Sequence, residues 1–271
     1  MRKFLRGLMG RYIIFQKLHL SLKKKKKRMS DWEFRKDYHK YKSMNTRESM
    51  ALKWHFILKM ADDKYSGAGN LGDYFWQDLM IARMIYNDDP DIHYDIGSRL
   101  GGFIAYLLSF RQDKKTVMID IRPLPQKIDG LEFIQADATN LDRIASESID
   151  SLSSLHALEH FGLGRYGDPI DPEASFKAMK AMQRVLKFNG MLYLSLPCSK
   201  VEKCVFNANR LFNPYTIIHQ FDEMELINFY LIKNNGIKKL EIFQMSEDEL
   251  LNMLDDTRSG NTCIFVFRKR K

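Results

Sequence analysis

The chain has 271 residues, 45% of them hydrophobic and 28% charged, which is ordinary for a globular protein and enough for one large α/β domain with extensions. Its formal charge of +9 sits in one place: residues 1–28 carry 11 basic residues and no acid, leaving 32 basic against 34 acidic residues in the rest. A near-neutral body argues against a nucleic-acid-binding core, and three cysteines (Cys198, Cys204, Cys263) with no C-x-x-C pair argue against a disulfide framework or a zinc site and for reduced thiols in the cytoplasm; no metal is expected.

The first predicted element is a basic amphipathic arm over residues 1–30. Phe4, Leu5, Leu8, Tyr12, Phe15 and Leu18 recur at helical spacing with Arg and Lys between them, and the block Lys23–Arg28 follows. The interrupting charges and the lack of a small-residue cleavage site argue against a secretory signal. An amphipathic basic helix followed by a polybasic block suits an anionic membrane surface, such as the inner membrane face. The competing readings are a basic tail with no specific contact and an RNA-binding arm, the latter disfavoured because the aromatic interleaving of single-stranded RNA binders is missing. No run nears the ~20 apolar residues that a bilayer span needs.

Residues 31–90 read as a helical lead-in. Met50, Leu52, Phe56, Ile57 and Met60 share a helical face. After the turn signals Gly67, Gly69 and Gly72, a second stripe runs Phe75, Leu79, Met80, Ala82, Met84 and Ile85, which Asn87-Asp88-Asp89-Pro90 ends. The segment is expected to pack on the core or to cover a ligand mouth.

From residue 91 to 271 strand and helix signals alternate, which implies a parallel sheet with right-handed crossovers. His93–Gly97 is the first strand and Leu100–Phe110 the first helix. Thr116–Ile121, Leu131–Ala136 and Ile149–Leu155 are further strands, with Leu141–Ala145 as a short helix between the last two. Asp171–Phe188 is a long helix stopped by Asn189-Gly190, and Met191–Leu196 is the fifth strand. Glu225–Ile232 and Thr262–Arg268 are two more apolar segments, the latter buried on both faces or at a dimer seam.

Ligands of such a sheet bind beyond the carboxyl ends of its strands, so the loop residues there are the candidates. After the first strand, Asp95-Ile96-Gly97-Ser98-Arg99-Leu100-Gly101-Gly102 bares backbone ahead of a helix N-terminus. Asp120 closes the second strand, where an acid can accept both ribose hydroxyls. Asp137 follows the third and can accept from an exocyclic amine. Beyond the fourth come His156, Glu159 and His160, candidates for a general base. Arg165, Tyr166 and Asp168 lie in a glycine-flexed loop able to clamp a phosphorylated or acidic sugar. Asn207, Asn209 and Arg210 follow the fifth strand and can complete an acceptor pocket. Each of these also has a plain structural reading as a cap, a turn or a loop brace.

On these motifs the chain resembles the class I S-adenosylmethionine-dependent methyltransferases. The matching residues are the glycine loop 95–102, Asp120, Gln135-Ala136-Asp137-Ala138, Ser153–His160, and Val185–Leu192, a variant of the RVLKPGG turn. The loops Gly162–Pro172 and Val205–Arg210 resemble the bacterial branch of the domain-of-unknown-function 268 family, whose members accompany surface-polysaccharide genes. The resemblance implies a Rossmann-like, mostly parallel α/β sheet whose seventh strand is antiparallel, here with an N-terminal helical extension. It also implies S-adenosyl-L-methionine as cofactor. Asp95, Gly97 and Gly101 would line the methionine moiety, Asp120 the ribose, and Asp137 with the Ala138 amide the adenine. Leu155 and His156 would flank the sulfonium. The family places a glycine where this chain has Arg99, which either turns outward or pairs with the cofactor's carboxylate.

The function expected is methylation of a hydroxyl on a sugar or surface-glycan precursor, a small-molecule or glycan acceptor. The alternatives are a non-catalytic, membrane-associated protein that keeps the fold, and a nucleotide-sugar or nicotinamide enzyme, although position 99 also breaks the Gly-x-Gly-x-x-Gly that the latter requires.

Overall fold

A computed structural model describes residues 27–66 and 71–271. Nearly all of the expected basic arm therefore lies outside the described residues. The chain divides into two compact units, Met1–Asn70 and Leu71–Lys271.

In the first unit, α1 (Asp31–Met44) starts from a capping box: Ser30 Oγ accepts the Glu33 amide and Glu33 accepts the Ser30 amide. The pairs Lys59–Asp31 and Lys64–Asp37 tie the returning chain to it, Arg28–Asp62 ties it to the residues just before the helix, and the Tyr65 hydroxyl donates to Glu33. The helical stripe expected over residues 46–60 does not form. Glu48–Met50 and Trp54–Phe56 are single 3-10 turns with no buried residue. A short amphipathic stripe needs a surface to bury its apolar face before helix becomes favourable.

The second unit opens with α2 (Asp73–Asp88), which buries Gln77, Asp78, Ile81, Ala82 and Ile85. That burial is why α2 belongs with the sheet and why the division falls near residue 70 rather than at the expected 90. The strands are β1 (Ile92–Ile96), β2 (Lys115–Asp120), β3 (Leu131–Gln135), β4 (Ile149–Leu155), β5 (Leu186–Cys198), β6 (Lys203–Val205), β7 (Asn209–Leu211), β8 (Met224–Lys233), β9 (Gly236–Leu240) and β10 (Asn261–Lys269). The helices after α2 are α3 (Ala105–Phe110), α4 (Ala174–Val185), α5 (Pro214–Gln220) and α6 (Glu247–Met253).

Eight strands form one sheet in the order β3-β2-β1-β4-β5-β10-β8-β9, and β6 pairs with β7 in a separate hairpin. The five strands β1 to β5 pair in parallel, whereas β10 runs antiparallel to both β5 and β8. This is the expected Rossmann-like class I methyltransferase sheet, with β10 as its antiparallel seventh strand inserted between β5 and β8. It lies inside the sheet, which accounts for its two buried faces without a dimer seam. Alternate strand residues feed two cores. Ile119, Leu192, Leu194 and Phe265 face α4, α5 and α6, while Met118, Tyr193, Ile264 and Val266 face α2 and α3.

Three local expectations change. Residues 141–145 form turns, with Leu141 at φ 50°, not a helix. The helix expected over 171–188 covers only Ala174–Val185, because the chain enters β5 at Leu186 and bulges around Asn189 (φ 64°) and Gly190: Ile149 pairs with Leu186 but Ser151 with Met191. The first helix opens as a wide π-type turn over Leu100–Ile104, with Gly101 outside helical geometry.

Candidate functional site

The sheet's carboxyl edge is organised from inside by a chain of buried polar groups. His93 is fully buried between Ser151 Oγ (2.8 Å, to Nδ1) and Ser153 Oγ (2.9 Å, to Nε2). The Ser153 hydroxyl donates to Asp95 Oδ1 at 2.6 Å, so His93 Nε2 carries the ring proton and Nδ1 accepts from Ser151. Asp95 also accepts from the Ser98 hydroxyl (2.7 Å) and the Ser98 amide (3.0 Å), and Ser98 Oγ accepts the Leu155 amide (3.1 Å). One carboxylate thus ties the turn after β1 to the end of β4. Burial pushes the Asp95 carboxyl up to about 6, against the lowering hydrogen bonds of Ser153 and Ser98, and burial drives the His93 imidazole well below its ordinary value.

Asp95 was expected to line the methionine moiety. Its side chain is wholly buried and engaged by serines, so it shapes the turn from behind. Gly97 lies at φ 72°, and a Cβ there would stand 3.0 Å from Ala157 Cβ. Gly102 lets α2 come close, since a Cβ would overlap the buried Asp78 carboxylate. Burial raises the Asp78 pKa, with Gln77 and the nearby Arg99 working against it. Arg99 turns to the rim, its guanidinium 4.9 Å from the centre of the Tyr74 ring.

The loops after β1 to β4 line a cleft at the sheet's carboxyl edge. Gly97, Asp120, Asp137, Ala138, His156 and Tyr166 all face it, as do His160 and Asp168. Arg99, Gly101, Leu155 and Arg165 line the space that adjoins it. Asp120 does not present a free carboxylate. Arg122 donates to it three times: from its amide to Oδ1 (2.9 Å), from Nε to Oδ1 (3.0 Å) and from Nη2 to Oδ2 (2.7 Å). The hydrogen bond to Asp120 raises the Arg122 pKa. Asp137 accepts the Thr139 amide at 2.8 Å through Oδ1.

Beyond β4, His156 sits at φ 51°, a left-handed conformation, with its amide on Ser195 O. Its Nδ1 meets Glu159 Oε1 at 2.8 Å and its Nε2 meets Thr262 Oγ1 at 3.1 Å, and Thr262 in turn donates to Asp73 at 2.9 Å. Glu159 is buried behind the two histidines. Its Oε1 is 3.7 Å from His160 Nε2, and its Oε2 has no partner among the described residues. His160 Nδ1 lies 2.7 Å from Ala208 O, a carbonyl, so Nδ1 carries the proton and Nε2 keeps its lone pair. Burial lowers the His160 pKa, opposed by Glu159. Of the three expected catalytic residues, His160 has one nitrogen, Nε2, beyond hydrogen-bond distance of its neighbour Glu159, His156 is held at both nitrogens, and Glu159 lies behind both.

The expected substrate-binding residues divide. Tyr166 stands on the cleft between two guanidiniums, Arg122 at 4.4 Å and Arg165 at 5.1 Å from its ring centre. Asp168 instead braces its own loop, accepting the amides of Gly162 (2.6 Å), Gly164 (3.3 Å) and Tyr166 (3.1 Å); burial opposes ionisation, but these amides hold its carboxyl below the usual range. Arg210 is likewise a brace, donating to the carbonyls of Phe161, Asp171 and Pro172 and to Ser175 Oγ. Asn207 lies exposed at the β6–β7 tip and does not line the cleft, although the neighbouring Ala208 carbonyl meets His160 and Arg165. The residues that sequence reasoning missed are Arg122, Tyr74, Thr262 and Asp73. Arg122 alone carried a signal, two positions after Asp120.

The residues present fit an adenosyl group: glycine backbone at 97 and 101, an acid at each of two neighbouring loops, and Ala138 on the same cleft. A Cβ at Gly101 would meet no atom within 4 Å, so backbone is open to the cleft there.

The family described as "Caenorhabditis protein of unknown function, DUF268" matches residues 111–261. No curated protein matches the sequence. Among solved structures, the chain is similar to the 1,6-didemethyltoxoflavin-N1-methyltransferase of Burkholderia thailandensis, with 13% identity over 72% of this chain and 80% of that one, and a TM-score of 0.49. It is similar to the N-methyltransferase NodS of Bradyrhizobium japonicum, solved with S-adenosylhomocysteine, at 13% identity, 72% and 86% coverage and a TM-score of 0.48. For a SAM-dependent methyltransferase from Methanosarcina mazei the values are 18%, 69%, 97% and 0.45. The fold assignment rests on the strand order.

Proposed function

The chain belongs to the DUF268 family, and on that premise we propose that it is an S-adenosylmethionine-dependent methyltransferase. One observation carries the reading: Asp120 and Asp137, from the loops after two neighbouring strands, meet on a single cleft beside the Gly97 turn. In this reading Asp120 takes the ribose hydroxyls, Asp137 and Ala138 take the adenine edge, and Gly97, Gly101 and Arg99 face the methionine end. Bound there, the cofactor supplies an activated methyl group. The chain's own task is to place the acceptor and exclude water.

The acceptor side is the wall formed by His160, Arg165 and Tyr166. A hydroxyl acceptor needs a base, and His160 Nε2, beyond hydrogen-bond distance of Glu159, is the candidate. Its lowered pKa keeps it neutral, hence basic, at pH 7. The Arg165 cation beside Tyr166 suits an acidic or phosphorylated sugar, so we assign the substrate to sugars or surface-glycan precursors. The loops Gly162–Pro172 and Val205–Arg210 support placing the chain in the bacterial branch of its family. The basic residues 1–28 support work at the inner, anionic face of a membrane.

A second reading, a non-catalytic protein that keeps the fold, is favoured by Arg122, which already holds both oxygens of Asp120. Calorimetric titration of the purified full chain with S-adenosylhomocysteine, beside nicotinamide adenine dinucleotide, separates the readings. Saturable binding of the first alone supports the methyltransferase. No binding of either supports the non-catalytic protein, and preference for the dinucleotide supports a nicotinamide enzyme.

A further inference from the structure

We propose that residues 44–60 form a membrane-inserting face that docks the protein on an anionic phospholipid bilayer. This inference concerns the first compact unit and is independent of the methyltransferase reading.

Among residues 27–66 none is buried, yet large apolar side chains gather between positions 44 and 60. Trp54 is 83% exposed, Phe56 78% and Leu58 78%, and Met44, Leu52 and Met60 are exposed as well. The Trp54–Phe56 turn sets the Trp54, His55 and Phe56 rings in edge contact, 5.7 Å and 4.3 Å between successive centres. Large apolar side chains left exposed together on one short segment, with Trp54 and Phe56 bridged through His55, mark an interaction site.

Charge identifies the occupant. Between positions 40 and 60 the apolar residues alternate with Lys40, Lys42, Arg47, Lys53 and Lys59, against the single acid Glu48. Over residues 1–70 there are 19 basic and 6 acidic residues, whereas residues 71–271 carry 24 basic and 28 acidic ones. The exposed Trp and Phe therefore sit in the strongly positive unit. Trp with flanking Lys is the chemistry of a bilayer interface, where the ring rests at the headgroups and the ammonium reaches lipid phosphates and serines. Protein interfaces, by contrast, are depleted in Lys. No helix among the described residues is long and apolar enough to cross a membrane, so the docking is interfacial.

The test uses the full chain with Trp32→Phe and Trp76→Phe, so that Trp54 is the remaining tryptophan, and vesicles of phosphatidylcholine with and without phosphatidylserine. The expected result is sedimentation with the serine-containing vesicles, a blue shift of Trp54 emission, and quenching by brominated acyl chains. The triple variant Trp54→Ser/Phe56→Ser/Leu58→Ser should weaken partitioning by about tenfold or more. Its binding of S-adenosylhomocysteine should match that of the parent, so this result and the cofactor result fail separately. Partitioning of the triple variant equal to the parent's would overturn the proposal, leaving the arm's charge as the whole attraction. So would a Trp54 emission that is already blue-shifted and insensitive to vesicles, or a Trp54-dependent dimer in sedimentation equilibrium, since either means that protein covers this face.

Discussion

The Arg122 guanidinium holds both carboxylate oxygens of Asp120, at 3.0 Å to Oδ1 and 2.7 Å to Oδ2, at the position assigned to a ribose. A diol and this guanidinium compete for the same lone pairs. The Arg122 side chain is 48% exposed, so solvent screening limits the pair to about 0.5–1 kcal/mol. Arg122→Ala should therefore bind S-adenosylhomocysteine about two- to fivefold more tightly in calorimetry. Weaker binding would make Arg122 a ligand contact in its own right.

Asp95 gives stability a pH dependence. Its carboxyl is raised to about 6 in the fold, from 3.8. Between those values the folded chain keeps a proton that the unfolded chain has released, so the Asp95 contribution falls as pH rises, by about 3 kcal/mol across the window. His93 has the opposite sign: its lowered pKa means stability is lost as pH drops below 6.5, but it is common to wild type and variant. In urea unfolding, Asp95→Asn should gain on wild type as pH rises from 3.8 toward 6. A constant difference would refute the buried, proton-holding carboxyl.

Gly102 leaves room for the Asp78 carboxylate that α2 carries. Gly102→Ala would drive a Cβ into the Asp78 carboxylate and should cost about 1–3 kcal/mol in thermal or urea unfolding. Adding Asp78→Ala should recover part of the loss. Equal loss in the double variant would place the strain elsewhere.

Arg210 is assigned a bracing role because its guanidinium serves three carbonyls and a hydroxyl between Phe161 and Ser175. Arg210→Ala should destabilise the fold by about 2–3 kcal/mol and raise amide exchange over residues 161–172. A variant with wild-type stability and exchange would return Arg210 to the acceptor pocket.

The strand–turn–helix rhythm of β1 to β5 was legible because local pattern and strand order follow from it, and the sheet's topology then fixed where Asp120 and Asp137 would meet. Side-chain engagement was not legible. Asp95 reads as a cleft acid until Ser153, 58 residues later, is seen to donate to it. Asp168 and Arg210 read as ligand groups because their actual partners are backbone amides and carbonyls, which leave no mark on the sequence. Residues 46–60 carry a helical stripe but no surface to bury it. β9 was missed although Asn234-Asn235-Gly236, with both asparagines at positive φ, is a hairpin signal.

The central claim, that Asp120 and Asp137 cup an adenosyl group, is tested most directly by titrating S-adenosylhomocysteine into the wild-type chain and Asp120→Ala. The account predicts saturable binding to wild type that weakens by about a hundredfold in the variant, the loss of two hydrogen bonds to a charged acceptor. Equal affinity for the two proteins would contradict it.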